Sequence, residues 1–186
     1  MNLVLAVTGA TGAYAAKRLI EKSPWPVTLV ISQWGREVYK RECGNIDELT
    51  GPAAVVYDDT DLAAPIASCS VPTRGMVILP CSTSTTGKIA SGIGDTLVTR
   101  AAHCHLKEAR KLVLCIRESP WSLIDLDAAR TIAAAGGVIM PISPAFYMTA
   151  DHPPETVTLD TLLDDFVDHV LALFGKPAAE NWETVR

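Results

Sequence analysis

The chain has 186 residues, 48% of them hydrophobic, and a formal net charge of −5. That length suits one domain, residues 1–186, with a sizeable core and a tail over 175–186. The mild negative charge and the lack of a basic run exclude nucleic acid as a partner. No apolar run nears the roughly 20 residues of a membrane span, and the N-terminus lacks the basic start of a signal peptide, so a cytoplasmic protein is expected.

The first predicted element is Leu3–Val7, a five-residue apolar run that reads as a buried strand. It stops at Gly9, Ala10, Thr11 and Gly12, and a helical pattern follows to Lys22. A strand feeding a small-residue turn into a helix is a ready anion site, because first-turn N–H groups are unpaired and the helix dipole favours negative charge there. The chain is therefore expected to hold the phosphate of a nucleotide or flavin at this turn. Gly9 and Gly12 do not complete G-x-G-x-x-G, and Gly-Lys-Ser/Thr is absent, so a tight turn in which glycine merely fits stands as the other reading.

Further strands are predicted over Val27–Ile31, Ala54–Tyr57, Gly75–Leu79, Leu112–Ile116 and Gly137–Met140. Several are continuous apolar runs, the pattern of parallel strands buried on both faces. Helical patterns lie between them, at Trp34–Glu42, Ser84–Ala90, Thr96–Ala109 and Leu123–Ala135, and a last amphipathic one spans Thr158–Phe174. Alternating strands and helices predict a doubly wound, three-layer α/β sheet of Rossmann type, whose ligands sit beyond the carboxyl ends of the strands. Asn45–Arg74 is the least regular stretch, a lid or a packing surface. Trp182, in a tail with little patterning, suggests docking onto a neighbouring subunit or a ligand.

Chemistry-bearing residues gather at the predicted strand ends. Ser82-Thr83-Ser84-Thr85-Thr86 follows the strand ending at Leu79, and five hydroxyls there can bind a phosphate or cap a helix; the two uses are compatible. Arg117 and Glu118 leave a buried strand together. They read either as an ion pair or as an anion-binding cation beside a proton-transfer carboxylate. Arg100 and Lys107, seven apart on one predicted helix, share a face, and Tyr147 on a Pro-rooted loop can offer its hydroxyl to a phosphate. The five cysteines show no C-x-x-C; Cys115 reads as a core thiol, and Cys81 ends a strand beside ligand groups. The four histidines have no metal-ligand spacing, so no metal is expected.

Taken together, Val7-Thr8-Gly9-Ala10-Thr11-Gly12, Gly75 through Thr85, Leu97-Val98-Thr99-Arg100, Leu106-Lys107-Glu108, Leu112 through Pro120 and Val138 through Tyr147 closely resemble the UbiX flavin prenyltransferases, in order and spacing from Asn2 to about Gly175. The resemblance implies a flavodoxin-like sheet that binds FMN, a dodecamer built from trimers, and no metal. It implies transfer of a dimethylallyl group from dimethylallyl phosphate, or its diphosphate, to N5 and C6 of reduced FMN. The product, prenylated FMN, would serve a UbiD-type decarboxylase.

By position, Gly9, Ala10, Thr11, Ser32, Ser82, Thr83, Ser84, Thr85 and Arg117 would hold FMN. Glu118, Glu42, Lys107 and Thr11 would be catalytic, with Glu118 the first choice for proton relay and Glu42 the second. Tyr147, His169, Arg100, Lys107 and Trp182 would bind the prenyl phosphate or its chain. Two residues depart from the family pattern: Thr11 stands where Ser is usual, and His169 where Arg or Lys grips the phosphate. His is shorter and mostly neutral at pH 7. The alternative is a divergent FMN-binding flavoprotein, either a flavin carrier or a relative of the cysteine decarboxylases; the latter usually carry Pro-Ala-Ser-Ala-Asn-Thr where this chain has Pro80-Cys81-Ser82-Thr83-Ser84-Thr85.

Overall fold

The computed structural model describes residues 1–143 and 153–177. Six parallel strands form one sheet: β1 (Leu3–Val7), β2 (Val27–Ile31), β3 (Val55–Asp58), β4 (Gly75–Cys81), β5 (Leu112–Ile116) and β6 (Val138–Ile139), in the order β3-β2-β1-β4-β5-β6. Every residue of β1, β2, β4 and β5 is buried, which is why their sequences are apolar runs, broken in β2 only by Thr28. The edge strand β3 is largely exposed, and its Val-Val-Tyr-Asp is correspondingly the weakest signal.

Successive strand residues point to opposite faces, so one sheet feeds two cores. Leu3, Leu5 and Val7 pack with Leu19 of α1 (Tyr14–Lys22), Tyr39 of α2 (Gln33–Cys43), Leu49 of the short α3 (Asp47–Thr50) and Phe166 of α7 (Leu159–Ala172). Val4 and Ala6 pack with Ile89 of α4 (Thr83–Ala90), Leu97 and Ala101 of α5 (Leu97–Lys107) and Ile132 of α6 (Leu123–Ala134). The three layers expected from the alternating pattern are present.

Boundaries differ where local and tertiary forces compete. The fourth strand runs two residues past the predicted Leu79, through Pro80. Proline cannot donate to the ladder, and the register with β5 shifts between Ile78 and Cys81 to accommodate it. The irregular stretch 45–74 contains α3, β3 and a 3-10 turn at Pro65–Ala67. The helix predicted to start at Thr96 begins at Leu97, because Thr96 is its cap: its side chain accepts from Thr99 N and the Thr99 hydroxyl returns the bond. Among the described residues no helix is long and apolar enough to cross a membrane.

The strand order reverses between β1 and β4: the chain winds outward from β1 to β3, then returns to the other side of β1. The crevice beyond the carboxyl ends of β1 and β4 is where such sheets take ligands.

Candidate active site

Thr8 builds the floor of that crevice. It is 3% exposed. Its Oγ1 donates to the Pro80 carbonyl and accepts from Ser82 N–H, both at 2.9 Å, so one hydroxyl ties the end of β1 to the end of β4. In the sequence Thr8 shows only as a hydroxyl immediately before the glycine turn, with no sign of this role. Next to it, Gly9 lies under Trp34: a Cβ on Gly9 would stand 2.6 Å from the Trp34 Cβ, well inside contact distance. Trp34 itself is 67% exposed over this mouth.

The groove above has three connected lobes. A polar lobe of about 390 Å³ is lined by Thr8, Gly9, Ser32, Trp34, Ser84, Thr85 and the start of α5. A central lobe of about 330 Å³ lies among Gly9, Ala10, Thr11, Ser82, Thr83, Ser84, Arg117 and Glu118. An apolar lobe of about 650 Å³ is walled by Ile142, Leu159, Leu162, Leu163 and Phe166, with Glu42 and Arg117 at its polar end. Arg117 lines both the central and the apolar lobes. Among the described residues it has no ion pair, so the Arg117–Glu118 pair considered from sequence is not formed; the Glu118 carboxylate accepts from Ser119 N–H instead, at 3.0 Å.

Helix N-termini decide where an anion fits. The first helix does not offer the phosphate site expected of it. Glu42, at the end of α2, places its carboxylate against Gly12 N–H (3.0 Å to each oxygen) and Ala13 N–H (2.8 Å), and supplies the negative charge that this terminus favours. The start of α5 is likewise taken, by Asp59, whose Oδ1 accepts from Val98 N–H at 2.8 Å; burial raises the pKa of Asp59. The termini of α2 and α4 carry neutral hydroxyl caps: Ser32 Oγ accepts from Gly35 N–H at 3.0 Å, and Ser82 Oγ from Thr85 N–H at 3.3 Å. Their first N–H groups, at Gln33 and Trp34 and at Thr83 and Ser84, have no intrahelical partner. Both ends open on the polar lobe. The hydroxyl run therefore caps α4 and faces the groove at once, as the sequence allowed.

The other residues singled out from sequence fall in different places. Arg100 bonds the Ala67 carbonyl through Nε at 3.1 Å and lines a separate cavity of about 700 Å³ under residues 62–71. Lys107 closes α5 at the opposite end of the helix, about 16 Å from its start at 1.5 Å per residue. Neither lines the groove of its own chain. His169 lies nearly one turn past Phe166 on α7, with Nδ1 3.4 Å from Asp165 Oδ2, and does not line the apolar lobe. Tyr147 and Trp182 lie outside the described residues. Cys81 is fully buried and its burial pushes the thiol pKa up to about 12, so it is a packing residue rather than a ligand contact. Among the described residues no His, Cys, Asp or Glu cluster could hold a metal ion.

A parallel sheet with hydroxyl-capped helix ends at its switch point defines a flavodoxin-like α/β protein built to take a phosphorylated planar ligand. The flavoprotein family profile matches residues 1–168. The chain belongs to that family and, within it, to the UbiX flavin prenyltransferases, as its relatives show. It is 41% identical, over its whole length and 94% of the relative, to a probable UbiX-like flavin prenyltransferase of Streptomyces sp. strain D7. It is 40% identical to the flavin prenyltransferase UbiX of Thermoplasma acidophilum, with 94% of this chain and 95% of the relative covered. Among solved structures it is similar to AnUbiX (PadA1) in complex with FMN and dimethylallyl pyrophosphate, with a TM-score of 0.90, 36% identity and coverage of 97% and 96%. It is also similar to a dodecameric FMN-dependent UbiX-like decarboxylase from Escherichia coli O157:H7, with a TM-score of 0.87, 35% identity and coverage of 97% and 98%. Its likeness to the cysteine decarboxylase TvaF, at 16% identity and a TM-score of 0.60, shows the shared fold alone.

Proposed function

We propose that this protein transfers a dimethylallyl group from dimethylallyl phosphate to N5 and C6 of reduced FMN, and that the prenylated FMN is consumed by a UbiD-type decarboxylase. The carrying observation is the groove, which joins a phosphate-receptive polar lobe to an apolar lobe across Arg117. The residues present fit FMN: two neutral-capped helix ends suit its phosphate, and Ala10, Thr11, Ser82 and Arg117 line the central lobe beside them, where its ring would lie.

Reduced FMN supplies the electron-rich ring that accepts the allyl group. Ser32, Ser84 and Thr85 would hold its phosphate, and Ala10, Thr11 and Arg117 would line the place of its ring. The apolar wall of Leu159, Leu162, Leu163 and Phe166 suits a branched C5 chain and keeps water from an allylic cation. This reading has Glu118, which lines the central lobe with Thr11, take up the C6 proton. Glu42 is bound to the start of α1 by three hydrogen bonds, which supports a fixed electrostatic role at the mouth of the apolar lobe over proton relay. This reading assigns Tyr147 and Trp182 to the prenyl side, and His169, which lies outside the lining of the apolar lobe, is not needed in it.

Arg100 and Lys107 do not reach the groove of their own chain, so this reading has them serve the groove of a neighbouring subunit in a homo-oligomer, where cations assist departure of the phosphate. The cytoplasm is the compartment that suits five free thiols.

The test is to mix the protein anaerobically with reduced FMN and dimethylallyl phosphate and weigh the released flavin. A gain of one C5H8 unit is expected. Unmodified FMN, with the diphosphate equally inert, would leave a flavin-binding relative without prenyl transfer.

A further inference from the structure

The apolar lobe takes most of its wall from one helix. Leu159, Leu162, Leu163 and Phe166 of α7 line it, with Tyr14 from the start of α1. Leu163 and Phe166 also belong to the core that holds Leu19 of α1. Any shift of α7 along α1 therefore moves the wall relative to Arg117, which lines the same lobe.

The contact that seats α7 on α1 is directional. Arg18 stands one turn after Tyr14, and Asp164 directly follows Leu163. Arg18 Nε donates to Asp164 Oδ1 at 2.7 Å and Nη2 donates to Oδ2 at 2.8 Å, a two-bond fork between the helices. Arg18 Nη1 donates to Glu21 on its own helix, which braces the guanidinium. One turn further along both helices, Lys22 Nζ lies 2.8 Å from Asp168 Oδ2. Lys176 Nζ donates to Asp168 Oδ1 at 2.8 Å and to the Lys22 carbonyl at 3.2 Å. The hydrogen bonds from Arg18 hold the Asp164 carboxyl below the usual carboxylate range, so the fork is ionised at neutral pH.

Apolar packing is non-directional and lets one helix slide against another. A slip of one residue moves a helix by about 1.5 Å along its axis. The fork opposes such a slip, because both of its bonds break together. It does so with little gain in stability: the Arg18 and Asp164 side chains are 26% and 29% exposed, and ion pairs this close to water contribute little. Arg18 lines none of the three lobes, so any effect on the groove passes through α7.

We infer that Arg18 is a positioning residue for the prenyl pocket: its fork to Asp164 fixes the α7 wall at the spacing that selects a five-carbon chain over longer ones. The inference rests on reading the apolar lobe as the prenyl site.

The experiment titrates the FMN-loaded protein with dimethylallyl phosphate and with geranyl phosphate by calorimetry. Oxidised FMN lacks the electron-rich N5 that accepts the allyl group, so binding is read without turnover. Arg18→Lys keeps the charge and loses the fork; Asp164→Asn keeps the shape and loses the charge. Each is expected to bind dimethylallyl phosphate at least about fivefold more weakly and geranyl phosphate no more weakly, with FMN affinity and Tm near those of the unaltered chain. The double variant should be no weaker than the weaker single one, because both lose the same fork. Equal binding of the two chain lengths by the unaltered protein, an unchanged preference in both variants, additive losses in the double variant, or losses that track FMN affinity and Tm would overturn the inference. Selective binding of dimethylallyl phosphate without prenylation of reduced FMN would refute prenyl transfer and leave the role of Arg18 standing.

Discussion

Replacing Thr8 tests whether one hydroxyl holds the flavin groove together. In Thr8→Val the shape is kept, but the donor to Pro80 O and the acceptor for Ser82 N–H are both lost. The Pro80 carbonyl still accepts from Thr8 N–H at 3.2 Å, so it is not orphaned. Ser82 N–H is. An unmade bond to a buried donor costs about 1–3 kcal/mol, and the lost O–H···O contact adds about 1 kcal/mol. The sum is about 2–4 kcal/mol, or about 4–16 °C in Tm for a chain of this size. Thr8→Ser keeps both bonds and loses one buried methyl, about 1 kcal/mol. Urea unfolding of the two variants separates these costs. FMN titration by flavin fluorescence then reads the site: the ends of β1 and β4 move apart only in the Val variant, which should bind at least about tenfold more weakly than the Ser variant, a difference of about 1.4 kcal/mol. Equal stability within about 0.5 kcal/mol, or equal FMN affinity, would refute the reasoning.

His105 gives a pH prediction. It is 1% exposed, with Nδ1 on Ala101 O and Nε2 on Thr73 Oγ1, both at 2.7 Å, and burial lowers its pKa to about 4. The unfolded chain binds this proton below about pH 6.5 and the folded chain only near 4, so the contribution of His105 is whole above 6.5 and is lost as pH falls through that window. Urea unfolding at pH 7 and pH 5 should show the drop, and His105→Gln should flatten it. Gly35→Ala should destabilise despite the ~1 kcal/mol helix-propensity gain of alanine, because the new Cβ would stand 2.4 Å from the Val7 carbonyl and push the start of α2 off β1; a higher Tm would contradict this. Lys107→Ala and Arg117→Ala should each abolish prenyl transfer alone, yet co-expressed mixed oligomers should regain part of it, because each chain supplies what its neighbour lacks; no recovery would place Lys107 outside the neighbouring groove.

Much of this protein could be read from its residues in order. Leu3–Val7 and Leu112–Ile116 are strands in sequence and in space, because a parallel strand buried on both faces needs an unbroken apolar run and few other elements do. Ser82–Thr85 and Gly9–Thr11 were legible as groove residues because turn chemistry and strand ends are local facts. The anion site at the first helix was not. Its N–H groups look open until the chain folds and brings Glu42, thirty residues on, against them. The role of Thr8 needed the end of β4 beside the end of β1, seventy-two residues away. Arg100 and Lys107 do share a helix face, as their spacing of seven requires, but only the packing of α5 shows that this face turns from its own groove.

The sequence determined which segments are strands and helices, and which carry hydroxyls and charges, since hydrophobic period and turn chemistry act over a few residues. Which helix ends keep a neutral cap and which carboxylates are already engaged were decided by tertiary structure alone. Each depends on groups far apart in the chain meeting within about 3–4 Å, the range over which hydrogen bonds and charges act strongly.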